Sequence, residues 1–247
     1  MTRRVARLSA LARPLRDAIE KRALYHHGID LYSTFMSRGD LAFDIGALAG
    51  SRVKMFRGLG ARVVAIEPQP FFARALRQAF KNDPDVVVVE KGVAETEGVM
   101  DFYVCPDHPG ISSMADHWRE IRFPEMRWDK IRVPVTTLNA LISEYGVPTF
   151  CKIDVEGMEG PVLRGLTNPL PTLSFEFTGL FLDDARANLQ YLEGLGPIWV
   201  NCSLYESMEL LMEGWVKPER LVERLDLISE NDSTLSGDIY VSFLPRD

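Results

Sequence analysis

The sequence predicts an α/β protein built on a mainly parallel sheet of about seven strands, with helices on both faces. Seven short runs are rich in β-branched and aromatic residues, and each has the length of a strand. Helical patterns separate the early runs from one another. Such alternation is typical of parallel sheets that are buried on both sides. With 46% hydrophobic and 26% charged residues, the chain has the composition of a globular protein.

The predicted strands are Leu41–Ile45, Arg62–Ile66, Val86–Val89, Phe150–Ile153, Leu173–Phe177, Ile198–Asn201 and Ile239–Phe243. The predicted helices are Arg52–Leu59, Phe71–Lys81, Met158–Leu166 and Asp184–Leu192. We expect an antiparallel strand in the last pair, at Ile239–Phe243. An extra strand is expected at Val99–Val104, whereas Leu204–Arg224 shows no clear pattern.

We divide the chain into an amino-terminal helical segment, residues 1–38, and an α/β domain, residues 39–247. Apolar residues recur at spacings of three and four between Val5 and Ile19, which predicts an amphipathic helix. Its apolar stripe favours packing against the sheet or against a second copy of the chain, giving a homo-oligomer. Its basic face leaves open a weak peripheral contact with an anionic membrane.

The charge distribution argues against nucleic acid as a partner. Residues 1–22 contain seven Lys or Arg against two acidic residues, yet the whole chain has a net charge of −7, so its main body is strongly acidic. Phosphate binding needs a basic surface instead. Cys105, Cys151 and Cys202 are odd in number and far apart, which favours reduced thiols in a cytoplasmic protein. No run approaches the ~20 apolar residues of a membrane span.

A glycine loop follows the first predicted strand and predicts a nucleotide site. Asp44, Gly46 and Gly50 form the pattern Asp-x-Gly-x-x-x-Gly before a helix, where the backbone must pass close to a ligand. The GxGxxG pattern of dinucleotide-binding proteins is absent, and the carboxylate of Asp44 would repel a pyrophosphate. It suits the cationic groups of S-adenosylmethionine (SAM). SAM is therefore the predicted cofactor, and a nicotinamide-dependent oxidoreductase is the alternative.

Further residues at the ends of the next two strands fit the same cofactor. Glu67 follows the first loop glycine by about 21 residues and ends the second strand, where doubly wound sheets place the carboxylate that binds ribose hydroxyls. Pro68 ends that strand, and Gln69 adds a polar group. Val93 and Ala94, just past the third strand, are small enough for an adenine ring to approach. We predict that all five contact the cofactor.

On these residues the chain resembles the FkbM family of SAM-dependent methyltransferases, from Gly39 to Phe177. The similar segments are Phe43–Gly50, Val64–Pro68, Gly92–Ala94, Val133–Leu138 and, as the most specific, Lys152–Gly157 followed by Glu159 and Leu163–Gly165. The resemblance implies a Rossmann-like methyltransferase fold for residues 39–247. It also implies O-methylation of a carbohydrate or secondary metabolite. Leu48 stands near the usual position of an Asn, and Gly160-Pro161 is unusual in its helix, so a non-catalytic binding or scaffold protein is a second alternative.

Four residues are candidates for the catalytic base that an alcohol acceptor requires. Asp154 ends the fourth strand and is the first candidate, although it could instead only begin the next helix. Glu176, near the end of the fifth strand, is the second. His108 and His117 lie in the long segment Cys105–Lys130, which we expect to be an irregular lid or substrate loop. No spacing brings metal-ligand residues together, so we predict no metal site.

Overall fold

A computed structural model of the chain describes residues 22–246. The helices in chain order are α1 (22–33), α2 (Ser51–Gly58), α3 (Pro70–Ala79), α4 (Asp116–Arg122), α5 (Leu138–Tyr145), α6 (Glu159–Arg164), α7 (Leu182–Leu195) and α8 (Pro218–Ser229). The strands are β1 (Leu41–Ile45), β2 (Arg62–Ile66), β3 (Val86–Val89), β4 (Gly92–Val93), β5 (Gly98–Val104), β6 (Asp129–Thr136), β7 (Phe150–Ile153), β8 (Thr172–Thr178), β9 (Trp199–Leu204) and β10 (Ser236–Ser242). The predicted amphipathic pattern before residue 22 lies outside the described residues.

The main sheet has seven strands in the order β3-β2-β1-β7-β8-β10-β9. β10 runs antiparallel to both β8 and β9, and the other described pairs are parallel. This arrangement confirms the predicted fold class and the antiparallel strand near the end of the chain. β1 and β7 are neighbours in the sheet, and the order of the strands along the chain reverses between them. In open α/β sheets, ligands bind at the carboxyl ends of the strands at this switch point.

Both faces of the sheet are covered by apolar side chains. All residues of β1 and β7 are buried, as expected for central strands of a parallel sheet, and each strand is apolar except for one charged residue, Asp44 in β1 and Lys152 in β7. One face packs against α5, α6, α7 and α8, and the other against α1, α2 and α3. Phe35, just after α1, stacks on Phe150 at a ring-centroid distance of 5.2 Å and on Tyr240 at 5.3 Å. Residues 22–38 therefore share a core with the domain that follows them.

A second sheet, β4-β6-β5, carries the segment between Cys105 and Lys130. The expectation that this segment is irregular was wrong, because it contains a 3-10 turn at Pro109–Ile111 and helix α4. Trp118 of α4 is only 2% exposed and covers Gly157. A seven-residue helix is too short to be stable alone, and packing of this indole holds it in place.

No helix within residues 22–246 combines the length and apolar character needed to cross a bilayer.

We expect Gly46→Ala to destabilise the fold far more than Gly39→Ala. The two glycines have almost the same left-handed φ, +87° and +89°, so the backbone cost of adding a side chain is similar, about 1–2 kcal/mol. A Cβ at Gly46 would lie 1.8 Å from the carbonyl oxygen of Asp154, whereas a Cβ at Gly39 would have no atom within 4 Å. In urea denaturation, Gly46→Ala should lower the free energy of unfolding by at least about 2 kcal/mol more than Gly39→Ala does. Equal losses would contradict this close approach.

Candidate active site

A cavity of about 820 Å³ opens at the carboxyl ends of β1, β2, β7 and β8. Its floor is formed by the loop after β1, by the residues that follow β2, and by acidic residues at the ends of β7 and β8. Its walls come from α1, the start of α2, the second sheet and the segment after β5. Its lining includes Gly46 and the charged residues Asp44, Arg52, Glu67, Asp154, Glu156, Glu176 and Glu206.

The glycine loop is fastened to β2 by its own backbone. The N–H groups of Gly46 and Ala47 both donate to the carbonyl oxygen of Ile66, at 2.9 and 3.0 Å. Gly50 has a φ of +78° and starts α2, but it does not line the cavity. Gly46 lines the cavity, whereas Gly50 provides the turn into α2 and lies outside the residues that line it.

Glu67 lies behind this loop and is only 2% exposed. Its Oε2 accepts a hydrogen bond from the N–H of Leu48 at 2.8 Å, and its Oε1 accepts one from the N–H of Gln69 at 2.7 Å. Burial raises the pKa of Glu67 to about 7, although these two hydrogen bonds oppose the rise. Each carboxylate oxygen can accept a further hydrogen bond, so the fixed carboxylate suits a pair of neighbouring hydroxyl groups.

The backbone conformation of Leu48 is one that favours asparagine, the residue expected near this position from the family resemblance. Its φ is +44°, a left-handed conformation that asparagine adopts far more readily than leucine. The donor to Glu67 is the Leu48 backbone, so that hydrogen bond does not depend on the side chain. The leucine side chain instead lies close to Gly110, where an added Cβ would be 3.7 Å away.

Asp44 of β1, Lys152 of β7 and Asp154, the residue after β7, lie next to one another. Asp44 is paired in register with Lys152, and each is only 2% exposed. Oδ2 of Asp44 has no hydrogen-bond partner within the described residues, and burial raises the pKa of Asp44 to about 6. Nζ of Lys152 lies 2.7 Å from Oδ2 of Asp154 and 3.7 Å from Oδ1 of Asp238. Burial alone would raise the pKa of Asp154, but the ammonium of Lys152 holds it below its usual value.

Asp154, Glu156 and Glu176 form a cluster of three carboxylates, with oxygen atoms within 4.8 Å of one another. Burial first, and then the charge of Asp154, raises the pKa values of Glu156 and Glu176 well above their usual values. Within residues 22–246 this is the one group with metal-ligand geometry. Carboxylate oxygens are the ligands that Mg²⁺ and Ca²⁺ prefer. Sequence spacing gave no sign of the cluster because two of its members lie in the loop after β7 and the third lies on β8.

The other residues predicted to contact the cofactor divide into two groups. Pro68, Gln69 and Val93 line the cavity, and Nε2 of Gln69 also donates to the carbonyl oxygen of Pro109 at 3.3 Å. Ala94 does not line it. The N–H of Ala94 donates to the carbonyl oxygen of Thr136, the last residue of β6 in the second sheet.

Both candidate histidines lie outside the cavity. His108 and His117 are exposed, and neither is among the described residues that line it. Nε2 of His117 lies 3.8 Å from Oδ2 of Asp184, and its ring meets the ring of Phe181 edge-on. Of the four candidate bases, the structure brings together only Asp154 and Glu176.

Sequence reasoning missed a charged pair at the mouth of the cavity. Arg52, in the first turn of α2, is 9% exposed, and its Nη2 lies 2.8 Å from Oε2 of Glu206. Leu24 and Tyr25 of α1 also line the cavity. No local pattern could have found these residues, because they are far apart in the chain and meet only in the folded protein.

The chain matches the methyltransferase FkbM domain over residues 44–196 and belongs to that family. It is therefore a SAM-dependent methyltransferase, and SAM is its cofactor. This result sets aside the nicotinamide-dependent and non-catalytic alternatives. No curated protein sequence matches the chain significantly.

Several solved structures align with most of the chain at low sequence identity. Precorrin-6y C5,15-methyltransferase from Geobacter metallireducens is 12% identical, with a TM-score of 0.47 over 87% of this chain and 85% of that one. An rRNA methylase from Streptococcus thermophilus is 11% identical, with a TM-score of 0.43 over 88% and 94%. A SAM-dependent O-methyltransferase from Thermotoga maritima is 11% identical, with a TM-score of 0.42 over 90% and 66%.

The raised pKa of Glu67 predicts a pH-dependent stability difference between the protein and its Glu67→Gln variant. The carboxyl titrates at about 7 when folded but near 4.5 otherwise, so the folded state binds the extra proton between these values. The stabilising contribution of the protonated form is complete below about pH 4.5 and is lost as pH rises through 7. From pH 5 to 8, urea denaturation should show the wild type losing on the order of 2–3 kcal/mol relative to Glu67→Gln. Parallel stability curves would show that Glu67 is not desolvated.

Proposed function

We propose that this methyltransferase transfers the methyl group of SAM to a hydroxyl group of a carbohydrate or secondary metabolite. The observation that carries the proposal is the position of Asp154. Its carboxylate is held ionised beside Lys152, in the same cavity as the buried carboxylate of Glu67. A hydroxyl acceptor requires such a base, because its proton must leave as the new bond to carbon forms.

The residues of the cavity suit SAM in size and in charge. A cavity of about 820 Å³ is within the range that holds cofactors of this size. Glu67 would accept hydrogen bonds from the ribose hydroxyls, and the unpartnered oxygen of Asp44 would face a cationic group of the cofactor. Gly46 and Val93 allow close approach along the remaining surface. When bound, SAM supplies a methyl group that is activated by its sulfonium.

The chain contributes a base, a cation that fixes the base, and two carboxyl groups with raised pKa values. Asp154 would accept the acceptor's proton, while Lys152 orients it and keeps it ionised. Burial raises the pKa values of Glu156 and Glu176, so they hold a proton more readily than ordinary carboxyl groups, and in that form each can donate a hydrogen bond to another oxygen of the acceptor. Alignment of the reacting atoms then supplies a large part of the rate, on the order of 7–11 kcal/mol in favourable systems.

The acceptor would lie between this carboxylate cluster and the segment from Cys105 to Lys130. Ile111, Ser112 and Met114 of that segment line the cavity. The three carboxyl groups clustered at Asp154 can form hydrogen bonds with a molecule that has several hydroxyl groups. This is the support for a carbohydrate-like acceptor.

We propose the cytoplasm as the location of this protein. The three cysteines are buried and unpaired, as expected for a compartment that keeps thiols reduced, such as the cytoplasm. A homo-oligomer and a weak membrane contact through residues 1–21 remain proposals. Flotation with anionic vesicles, comparing the full chain with one that starts at Leu31, tests the membrane contact.

We expect Glu67→Ala to weaken binding of SAM and of its demethylated product by at least about tenfold in calorimetric titration. The substitution removes a buried charged acceptor of hydrogen bonds, whose loss costs roughly 1.5–3 kcal/mol. The matched control is Glu95→Ala, because Glu95 is exposed, pairs with Arg164 and does not line the cavity. Equal affinities for all three proteins would show that the cofactor binds elsewhere.

We expect Asp154→Asn to abolish most methyl transfer while leaving SAM affinity within a few-fold of the wild type. A screen of hydroxylated sugars and metabolites for formation of the demethylated cofactor would first supply an acceptor. With that acceptor, kcat should fall by about 10²–10⁴, the usual effect of removing a general base. Asp184→Asn is the control, since Asp184 is exposed and lies outside this cavity. A wild-type kcat in Asp154→Asn would exclude Asp154 as the base.

A further inference from the structure

Arg52 is a buried cation that is only partly used by its partner. The side chain is 10% exposed and lines the cavity. Its Nη2 bonds to Glu206, but its Nε is buried and has no hydrogen-bond partner within the described residues. The Nε–H and Nη2–H groups of arginine form a planar fork that matches the two oxygens of one carboxylate. Glu206 therefore occupies only half of this fork.

Asp44 presents the opposite charge in the same cavity and is also incompletely partnered. Its Oδ2 is buried without a hydrogen bond. Burial raises the pKa of Asp44, and the positive charge of Arg52 opposes this rise. The ion pairs described for residues 22–246 do not include one between Asp44 and Arg52. A buried acid and a buried base that leave each other unpaired suit a ligand that carries both charges. The amino-acid end of SAM, with an ammonium and a carboxylate on one carbon, is such a ligand.

We propose that Arg52 binds the α-carboxylate of SAM beside Asp44, which binds its ammonium group, and that Glu206 takes the carboxylate's place on Arg52 when the cofactor is absent. This assignment rests on the cofactor placement proposed above. It adds a carboxylate-binding residue and a competing residue that belongs to the protein itself.

Replacement of Glu206 by the ligand carboxylate is favourable because the two carboxylates differ in exposure and in the number of hydrogen bonds that they make with Arg52. The side chain of Glu206 is 69% exposed, so it returns to water at little cost when it releases Arg52. The ligand carboxylate would use both N–H groups of the fork and would satisfy the unpartnered Nε. An unsatisfied buried donor costs about 1–3 kcal/mol, and this cost disappears on binding.

The demethylated product keeps the same amino-acid end as SAM. Arg52 would hold the product as firmly as the substrate, and Glu206 would compete with both. Glu206 lies in the connection between β9 and α8, next to Tyr205, whose φ is +55°. By returning to Arg52, Glu206 would help product leave the cavity.

The test is calorimetric titration with three nucleosides: SAM, its demethylated product, and 5′-deoxy-5′-methylthioadenosine, which lacks the amino-acid end. Arg52→Met should weaken binding of the first two by roughly 10- to 100-fold and change methylthioadenosine binding less than about twofold. Glu206→Gln should tighten binding of the first two by about two- to fivefold and leave methylthioadenosine unaffected. Arg77→Met, which breaks an ion pair with Glu90 outside the cavity, is the control and should change none of the three affinities.

Equal weakening of all three ligands by Arg52→Met would overturn the assignment, because Arg52 would then support the cavity as a whole. Unchanged or weaker product binding in Glu206→Gln would overturn the competition, and this variant keeps the test open if Arg52→Met fails to fold. Glu67→Ala distinguishes a failure of the cofactor placement from a failure of the role assigned to Arg52. If Glu67→Ala weakens all three ligands and Arg52→Met weakens none, the cofactor placement stands and the role of Arg52 is excluded. If Glu67→Ala weakens none, the placement itself has failed.

Discussion

The contact between the backbone of Gly46 and the carbonyl oxygen of Asp154 is the constraint on which the site depends. It joins the loop that follows β1 to the first residue after β7, and no side chain fits between them. The N–H of Asp154 also donates to the carbonyl oxygen of Ile45 at 3.0 Å. The two strand ends are thus locked together at the switch point of the sheet. One geometric condition fixes both the loop that would receive the cofactor and the carboxylate that would accept the proton.

Charge organises the floor of the cavity around this junction. Asp44, Asp154, Glu176 and Asp238 lie on neighbouring strands, and Lys152 is the cation placed among them. Burying so many charges costs stability unless they are paired, and several here are not fully paired. A region built only for stability would be apolar, so this excess of buried carboxylates points to a ligand. A cofactor with two cationic groups offsets the excess negative charge.

Much of the fold could be predicted from local sequence because its central strands are short, mainly apolar runs that end at polar or turn residues. The predicted bounds of β1, β2, β3 and β7 agree with the structure. The missed elements depend on tertiary contacts or on weak local signals. In β6, Pro134 interrupts the apolar pattern, and α8 begins with Pro218 inside a stretch that showed no periodicity. Helix α5 could have been found, since Thr137 caps it by accepting from the N–H of Ala140.

The candidate site also combines residues that the sequence could predict with residues whose positions depend on tertiary contacts. Asp44, Gly46 and Glu67 follow strands at fixed distances along the chain, so their meeting at one sheet edge could be predicted. The position of Glu156 in the carboxylate cluster depends on a left-handed φ of +56°, which a sequence does not reveal for glutamate. The pairing of Arg52 with Glu206 joins residues more than 150 positions apart. Contacts of that kind are decided by the packing of whole elements.

The indole of Trp118 on Gly157 has a consequence for how this protein could diversify. Gly157 has a φ of +93°, and a Cβ there would lie 2.6 Å from Trp118. Oγ of Ser113 also donates to the carbonyl oxygen of Glu156, so the segment after β5 is anchored beside the carboxylate cluster at two neighbouring points. Residues 106–111 lie between that anchor and the second sheet, and they are partly exposed or exposed. They can be exchanged without moving the anchor or the strand ends. If the acceptor lies where we propose, acceptor preference can change in evolution, or by engineering, without alteration of the strand ends that would hold the cofactor.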